Sequence, residues 1–166
     1  MVNCLQYPKG CDSADTCDTV VHHSYDSASE NITMLIMTKR KWSGFGVVPQ
    51  GSTTRMTGLR GQYCGTNDDG KIILSSFRAS GNGQMIYMDD LKGLELLSTT
   101  QDQGWTMCMY RRGIECPTCE MYDLTFSNFE SVIARGDNMS GDRPSYHGFQ
   151  NYAWWLDVNY KFPEAP

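Results

Sequence analysis

Residues 104–112 read GWTMCMYRR. Successive side chains of a strand point to opposite faces. Trp105, Met107 and Met109 therefore face one way, and Thr106, Cys108 and Tyr110 the other. Similar short apolar runs stand on both sides: ITMLIMT (32–38), WSGFGVV (42–48), KIILSSF (71–77), QMIYM (84–88) and GLELLST (93–99) before it, SNFESVIARG (127–136) and NYAWWLDVNYKF (151–162) after it. Turn signals such as NDDG (67–70) and SGNG (80–83) separate them. Short strands about ten residues apart are the pattern of an all-β sandwich or barrel. No long helical periodicity, repeat or low-complexity tract interrupts them.

Two regions lack this pattern. Residues 1–30 are polar and hold Cys4, Cys11 and Cys17, which reads as a disulfide-rich N-terminal segment of the same domain. Residues 49–70 are rich in Gly, Ser, Thr and Asn and read as loop. The sandwich is expected over 31–162, with 163–166 as a linker stub. The opening MVNCLQYPKG has no apolar stretch of the signal-peptide kind, and Met1 is expected to stand where a signal was removed.

At 166 residues the chain suits one domain with a real core. A net charge of −5 leaves no basic stripe to release counterions from nucleic acid or to dock on an anionic bilayer. No run of eighteen apolar residues spans a membrane. Seven cysteines with only three histidines point to disulfides in an oxidising, extracellular setting rather than to a metal cage. The sequons at Asn31 and Asn138 agree with that setting. An odd cysteine count leaves one thiol free or bonded to another chain. Nucleophile elbow, phosphate loop and catalytic carboxylate pair are all missing. Asp68, Asp69, Asp89 and Asp90 read as turn residues.

Two positions carry chemistry. Met56 sits in GSTTRMTGLRGQYC (51–64) and His147 in RPSYHGFQNYAWWLDV (143–158). The other histidines, His22 and His23, are adjacent in the N-terminal segment and read as surface residues. In chain order come a Gly-rich loop with Met56, GKIILSSFRASG with Arg78, an aromatic strand leading into Cys116-Pro-Thr-Cys119, SVIARGD, and His147 beside an aromatic-rich stretch. In this order the chain resembles the haem b cytochrome domain of cellobiose dehydrogenases, within the DOMON-like superfamily, from about Asn31 to Asn159. It departs from that pattern in its N-terminal cysteines, at Ala79, and in the GFG run.

The resemblance implies an antiparallel, immunoglobulin-like β-sandwich. It also implies a secreted cytochrome that carries single electrons and does no substrate chemistry of its own. Met56 and His147 would be the axial iron ligands, on two loops at one end of the sandwich. A Met/His pair saturates the iron, raises its potential and closes it to oxygen. Glu120 stands where a c-type attachment needs histidine, so the haem would be non-covalent haem b. Phe45, Phe149, Tyr152 and Trp154 are candidate walls, and Arg78 and Tyr146 candidate propionate partners. Partners by analogy are a flavin dehydrogenase as donor and a copper polysaccharide monooxygenase as acceptor. Cys116–Cys119 reads as a structural disulfide closing a turn. The alternatives are a haem-free carbohydrate-binding module of the same fold, using Trp42, Trp154 or Trp155, and an adhesion domain using Arg135-Gly136-Asp137.

Overall fold

A computed structural model describes residues 4–51, 58–80, 84–88, 91–115, 121–124, 128–145, 151–158 and 160. Thirteen strands run through them: β1 Cys4–Tyr7, β2 Thr19–Asp26, β3 Asn31–Thr38, β4 Trp42–Pro49, β5 Arg60–Thr66, β6 Ile72–Ala79, β7 Met85–Met88, β8 Leu94–Asp102, β9 Trp105–Gly113, β10 Phe129–Gly136, β11 Met139–Ser140, β12 Arg143–Pro144 and β13 Tyr152–Val158. They form a five-stranded sheet, β1-β2-β3-β9-β8, a six-stranded sheet, β13-β10-β4-β5-β6-β7, and the small hairpin β11-β12. Every pairing is antiparallel. No helix long and apolar enough to cross a membrane occurs among the described residues.

The two sheets are packed face to face. Ile32, Met34 and Ile36 of β3 and Tyr110 of β9 meet Phe45 and Val47 of β4 and Ile133 of β10 in one buried cluster. The alternation read in β9 holds: Thr106, Cys108 and Tyr110 are buried, and Met107 and Met109 are half-buried on the other face. Cys108 crosses the core to Cys64 in a disulfide, and Cys11 is bonded to Cys17. With its cysteines 44 positions apart, the first restricts the unfolded chain by about 4 kcal/mol in the loop-entropy picture. Cys4 is the unpaired cysteine among the described residues. Cys116 and Cys119 lie outside them.

Two regions depart from the sequence reading. The N-terminal segment supplies β1 and β2, and residues 49–70 contain β5, a central strand of the larger sheet. His23, taken for a surface residue, is 1% exposed. Its ring leans on Tyr160 at 4.8 Å, and neither ring nitrogen has a partner among the described residues. Burial, helped by the neighbouring His22, pushes its pKa down to about 4.

That shift sets a pH dependence. Between about pH 4 and 6.5 the unfolded chain holds a proton on this histidine that the folded chain does not. Stability is therefore lost as pH falls through that window, by about 2 kcal/mol from pH 7 to pH 5. Urea unfolding at both pH values reads it, and His23→Leu is expected to remove most of the difference. An equal pH dependence in the variant would assign the effect to other groups.

Of the two sequons, Asn138 is exposed and Asn31 is half-buried at the start of β3. The Arg135-Gly136-Asp137 tripeptide is tied into the fold. Arg135 stacks on Tyr7 at 4.2 Å and pairs with Asp18, while Asp137 reaches Arg40 at 3.3 Å. With its guanidinium engaged in this way, Arg135 is not offered to an adhesion receptor.

Candidate functional site on the outer face of the six-stranded sheet

A sandwich needs only its inner faces to be apolar, yet the larger sheet has a second apolar cluster on its outer face. Trp42, Leu59, Tyr63, Ile73, Phe77, Val132 and Met139 are buried there. Ala79, Met85, Tyr87, Ala134 and Trp154 rim them, half-exposed. An outward apolar face of this size on a small domain marks a binding surface or something that covers it.

Cross-strand register gives the face its form. One row crosses all six strands: Trp154, Val132, Gly46, Gly61, Phe77, Tyr87. The next row is Tyr152, Ala134, Gly44, Tyr63, Ser75. Aromatic side chains thus stand at both ends, and glycines take the centre, where Gly44, Gly46 and Gly61 add no bulk. Leu59 lies across Gly46, where an added Cβ would come within 2.7 Å of its Cδ1. The Trp42 indole takes up the space beside Gly136, where an added Cβ would come within 2.5 Å of its Nε1. At Gly44 the nearest atom to an added Cβ would be Trp42 Cζ3, 3.5 Å away.

Two connections leave and rejoin the described residues near this sheet. The β4–β5 connection leaves beside Pro49, where the Gln50 amide donates to the Asn128 carbonyl at 3.2 Å. It returns through Gly58, whose carbonyl accepts from the Tyr122 hydroxyl at 2.6 Å. The segment before β13 leaves at Ser145, whose amide donates to the Asn138 carbonyl at 3.1 Å. It returns at Asn151, whose carbonyl accepts from the Arg135 amide at 3.0 Å. The β11–β12 hairpin beside it is fixed by Tyr63 and Tyr87. Their hydroxyls donate to the carbonyls of Asp142 at 2.7 Å and Pro144 at 3.3 Å. Burial pushes both phenol pKa values up and keeps them neutral donors.

Met56, in the first segment, and Tyr146, His147 and Phe149, in the second, lie outside the described residues. Their flanks are among the described residues. Pro49 is paired with Phe129, and Tyr152 with Ala134 beyond it toward the Trp42 end of the sheet. These described flanks stand at opposite ends of the strands.

The described candidates divide. Tyr152 and Trp154 belong to the outer face. Phe45 does not: it points inward, 4% exposed, its ring edge-on to Tyr160 at 6.0 Å, and serves the core. Arg78 is exposed on β6, opposite Arg60 and Ile86, with inward parity at the strand's end. Trp42, considered as a surface sugar platform, is 5% exposed. Trp155 packs against the inter-sheet core, with Lys9 at 5.3 Å from its ring centre. Gly61 and Tyr63 were missed with β5. Among the described residues no three His, Cys, Asp or Glu side chains gather as a metal site.

No protein-family model matches the sequence. No curated protein matches it either. Among solved structures the chain is similar to the cytochrome domain of Myriococcum thermophilum cellobiose dehydrogenase. The TM-score is 0.59, with 10% identity over 86% of this chain and 76% of that one. At this identity the likeness establishes the β-sandwich fold of a cytochrome domain.

Proposed function

We propose that this chain is an extracellular b-type cytochrome that carries single electrons. The observation that carries the reading is the outer face of the six-stranded sheet: apolar, aromatic at both sides and with glycine at its centre. The fold likeness supports it.

The residues fit a flat, apolar macrocycle. Porphyrin needs an apolar slot with aromatic walls, and Trp154, Phe77 and Tyr87 beside Gly44 are of that kind, with Leu59 filling the space over Gly46. The Trp42 Nε1 donor is buried with no acceptor among the described residues, a polar group a bound ligand or the covering chain would satisfy. Met56 and His147 would hold the iron, approaching from the two ends of the strands. Tyr146 would meet a propionate, whereas Arg78 has inward parity on β6 and does not belong to this face. Haem, when bound, supplies a one-electron couple. The chain's part is to exclude water, keep both ligands fixed on a rigid sheet and leave no open coordination position. Donor and acceptor are proposed by analogy as a flavin dehydrogenase and a copper polysaccharide monooxygenase. With a net charge of −5, docking to either is expected to weaken or strengthen with salt according to the partner's charge.

An absorption spectrum of protein expressed with haem supplied, before and after dithionite, tests the reading. A sharp Soret band with split α and β bands on reduction is the expected result. Folded, disulfide-bonded protein with no Soret band would overturn it.

A further inference from the structure

The five-stranded sheet has an outer face of its own, across the core from the cluster around Trp42. The middle of that face is not polar. Val20 of β2, Leu35 and Met37 of β3, and Met107 and Met109 of β9 stand there half-buried. Ile36, Thr38, Thr106 and Cys108, which alternate with them, are buried on the inner face. Singly exposed apolar side chains are ordinary, but a contiguous set is not. Here three neighbours each carry a thioether sulfur.

Register brings the three sulfurs together. Met37 is the direct partner of Met107 across the β3–β9 pair, and side chains opposed in this way have Cβ atoms about 4.5–5.5 Å apart. Met109 follows Met107 on the same face, about 7 Å along the strand. It is diagonal to Met37, at about 7–8 Å. Methionine is unbranched and turns about three bonds, so the three sulfurs can converge on one point above the sheet. Val20 beside Met37 and Leu35 beside Met109 supply apolar walls and no donor. On the other side Thr100 and Ser98 of β8 face Met107 and Met109 and are exposed, which leaves the approach from solvent open.

The donor set decides the guest. Thioethers are soft, uncharged ligands with no proton to lose. Calcium and magnesium take oxygen, and zinc takes thiolate, imidazole or carboxylate. Copper(I) takes thioether sulfur. The nearby cations are engaged elsewhere: Arg111 pairs with Glu95 at 2.6 Å, and Lys39 lies over the Trp105 ring at 4.9 Å. We propose that Met37, Met107 and Met109 form a surface site for one soft monovalent cation, copper(I). The site is on the opposite sheet from the haem face and does not depend on that reading.

Silver(I) nitrate, a redox-inert analogue of copper(I), tests it on the full chain with carbon-13 in its methionine methyl groups. The titration is run in nitrate at about pH 5, where accessible histidine is mostly protonated. N-ethylmaleimide blocks free thiols such as Cys4 on β1. The methyl resonances of Met37, Met107 and Met109 are expected to move together and to saturate at one silver per chain. Those of Met85 and Met139, in the outer cluster of the other sheet, should stay in place. Met37→Leu, Met107→Leu and Met109→Leu conserve volume and assign the three resonances. Each is expected to weaken silver binding by about tenfold or more. Three resonances unmoved by silver, the result for a merely apolar patch, would overturn the proposal. So would a folded triple leucine variant that holds silver as tightly as the parent in equilibrium dialysis.

Discussion

Replacing His147 by alanine is expected to leave a chain that either fails to retain haem or holds it high-spin, with the split reduced bands gone. Imidazole is the stronger of the two proposed ligands, and nothing among the described residues of the outer face replaces it: His22 and His23 lie on β2, in the other sheet. Met56→Ala is expected to act differently. Haem would stay, held by His147 and the apolar face, but one axial position would open. The low-spin bands would be lost and the potential would fall, because a thioether ligand raises it. Two other methionines on the same face make the test specific. Met85 and Met139 belong to the outer cluster, and the Met139 sulfur stands 3.0 Å from where a Cβ on Gly65 would be. Met85→Leu and Met139→Leu preserve volume at a cost of under about 1.5 kcal/mol, and should leave the spectrum unchanged. A Met56→Ala protein with the parent spectrum, or a Met139→Leu protein without it, would move the ligand assignment elsewhere.

The parts of the fold that were legible are those whose strands obey the period of two with strong contrast. In β3 and β9 inward Ile32, Ile36, Cys108 and Tyr110 alternate with half-exposed residues, and both elements stood out from sequence. β5 did not, for a physical reason. Its sequence RGQYCGT places glycine, tyrosine and glycine on one face and Arg60, Gln62, Cys64 and Thr66 on the other, so neither face reads as plainly apolar. A Cβ at Gly61 would run into the β4 backbone at Phe45 and Gly46, and one at Gly65 into Lys41, Trp42 and Met139, a packing relation no local pattern shows. β2 was hidden by the same kind of mixture, with inward His23 and Thr19 in a strand that also presents His22 and Ser24. A histidine buried with no hydrogen-bond partner is rare enough to be read as surface from sequence. The Cys64–Cys108 bridge joins opposite sheets and follows only from how they stack. The outer face itself was legible in fragments, Trp154, Tyr152 and the GFG run. Its continuity appears only when the register aligns Gly46 with Gly61 and both with Phe77.

That alignment gives the larger of the expected stability effects. Gly61→Ala should lower the melting temperature by roughly 10 °C, corresponding to about 3 kcal/mol. A Cβ at this position would lie 1.9 Å from the Phe45 carbonyl oxygen and 2.7 Å from the Gly46 Cα. Both are backbone atoms of β4, so no rotamer change relieves the clash and the two central strands must separate. Gly46→Ala is the instructive contrast. Its Cβ would meet Leu59 Cδ1 at 2.7 Å, the end of a side chain that can turn away, and the loss should be about 1–2 kcal/mol. At Gly44, with ordinary contact distances, alanine should leave the melting temperature within about 2 °C. The three substitutions insert the same methyl group on the same face, so their order reports how closely β4 and β5 approach rather than any general intolerance of alanine. Thermal unfolding followed by circular dichroism measures it. A Gly61→Ala protein as stable as Gly44→Ala would mean that β4 and β5 are not held this close, and the glycine floor on which the haem reading depends would lose its geometric basis.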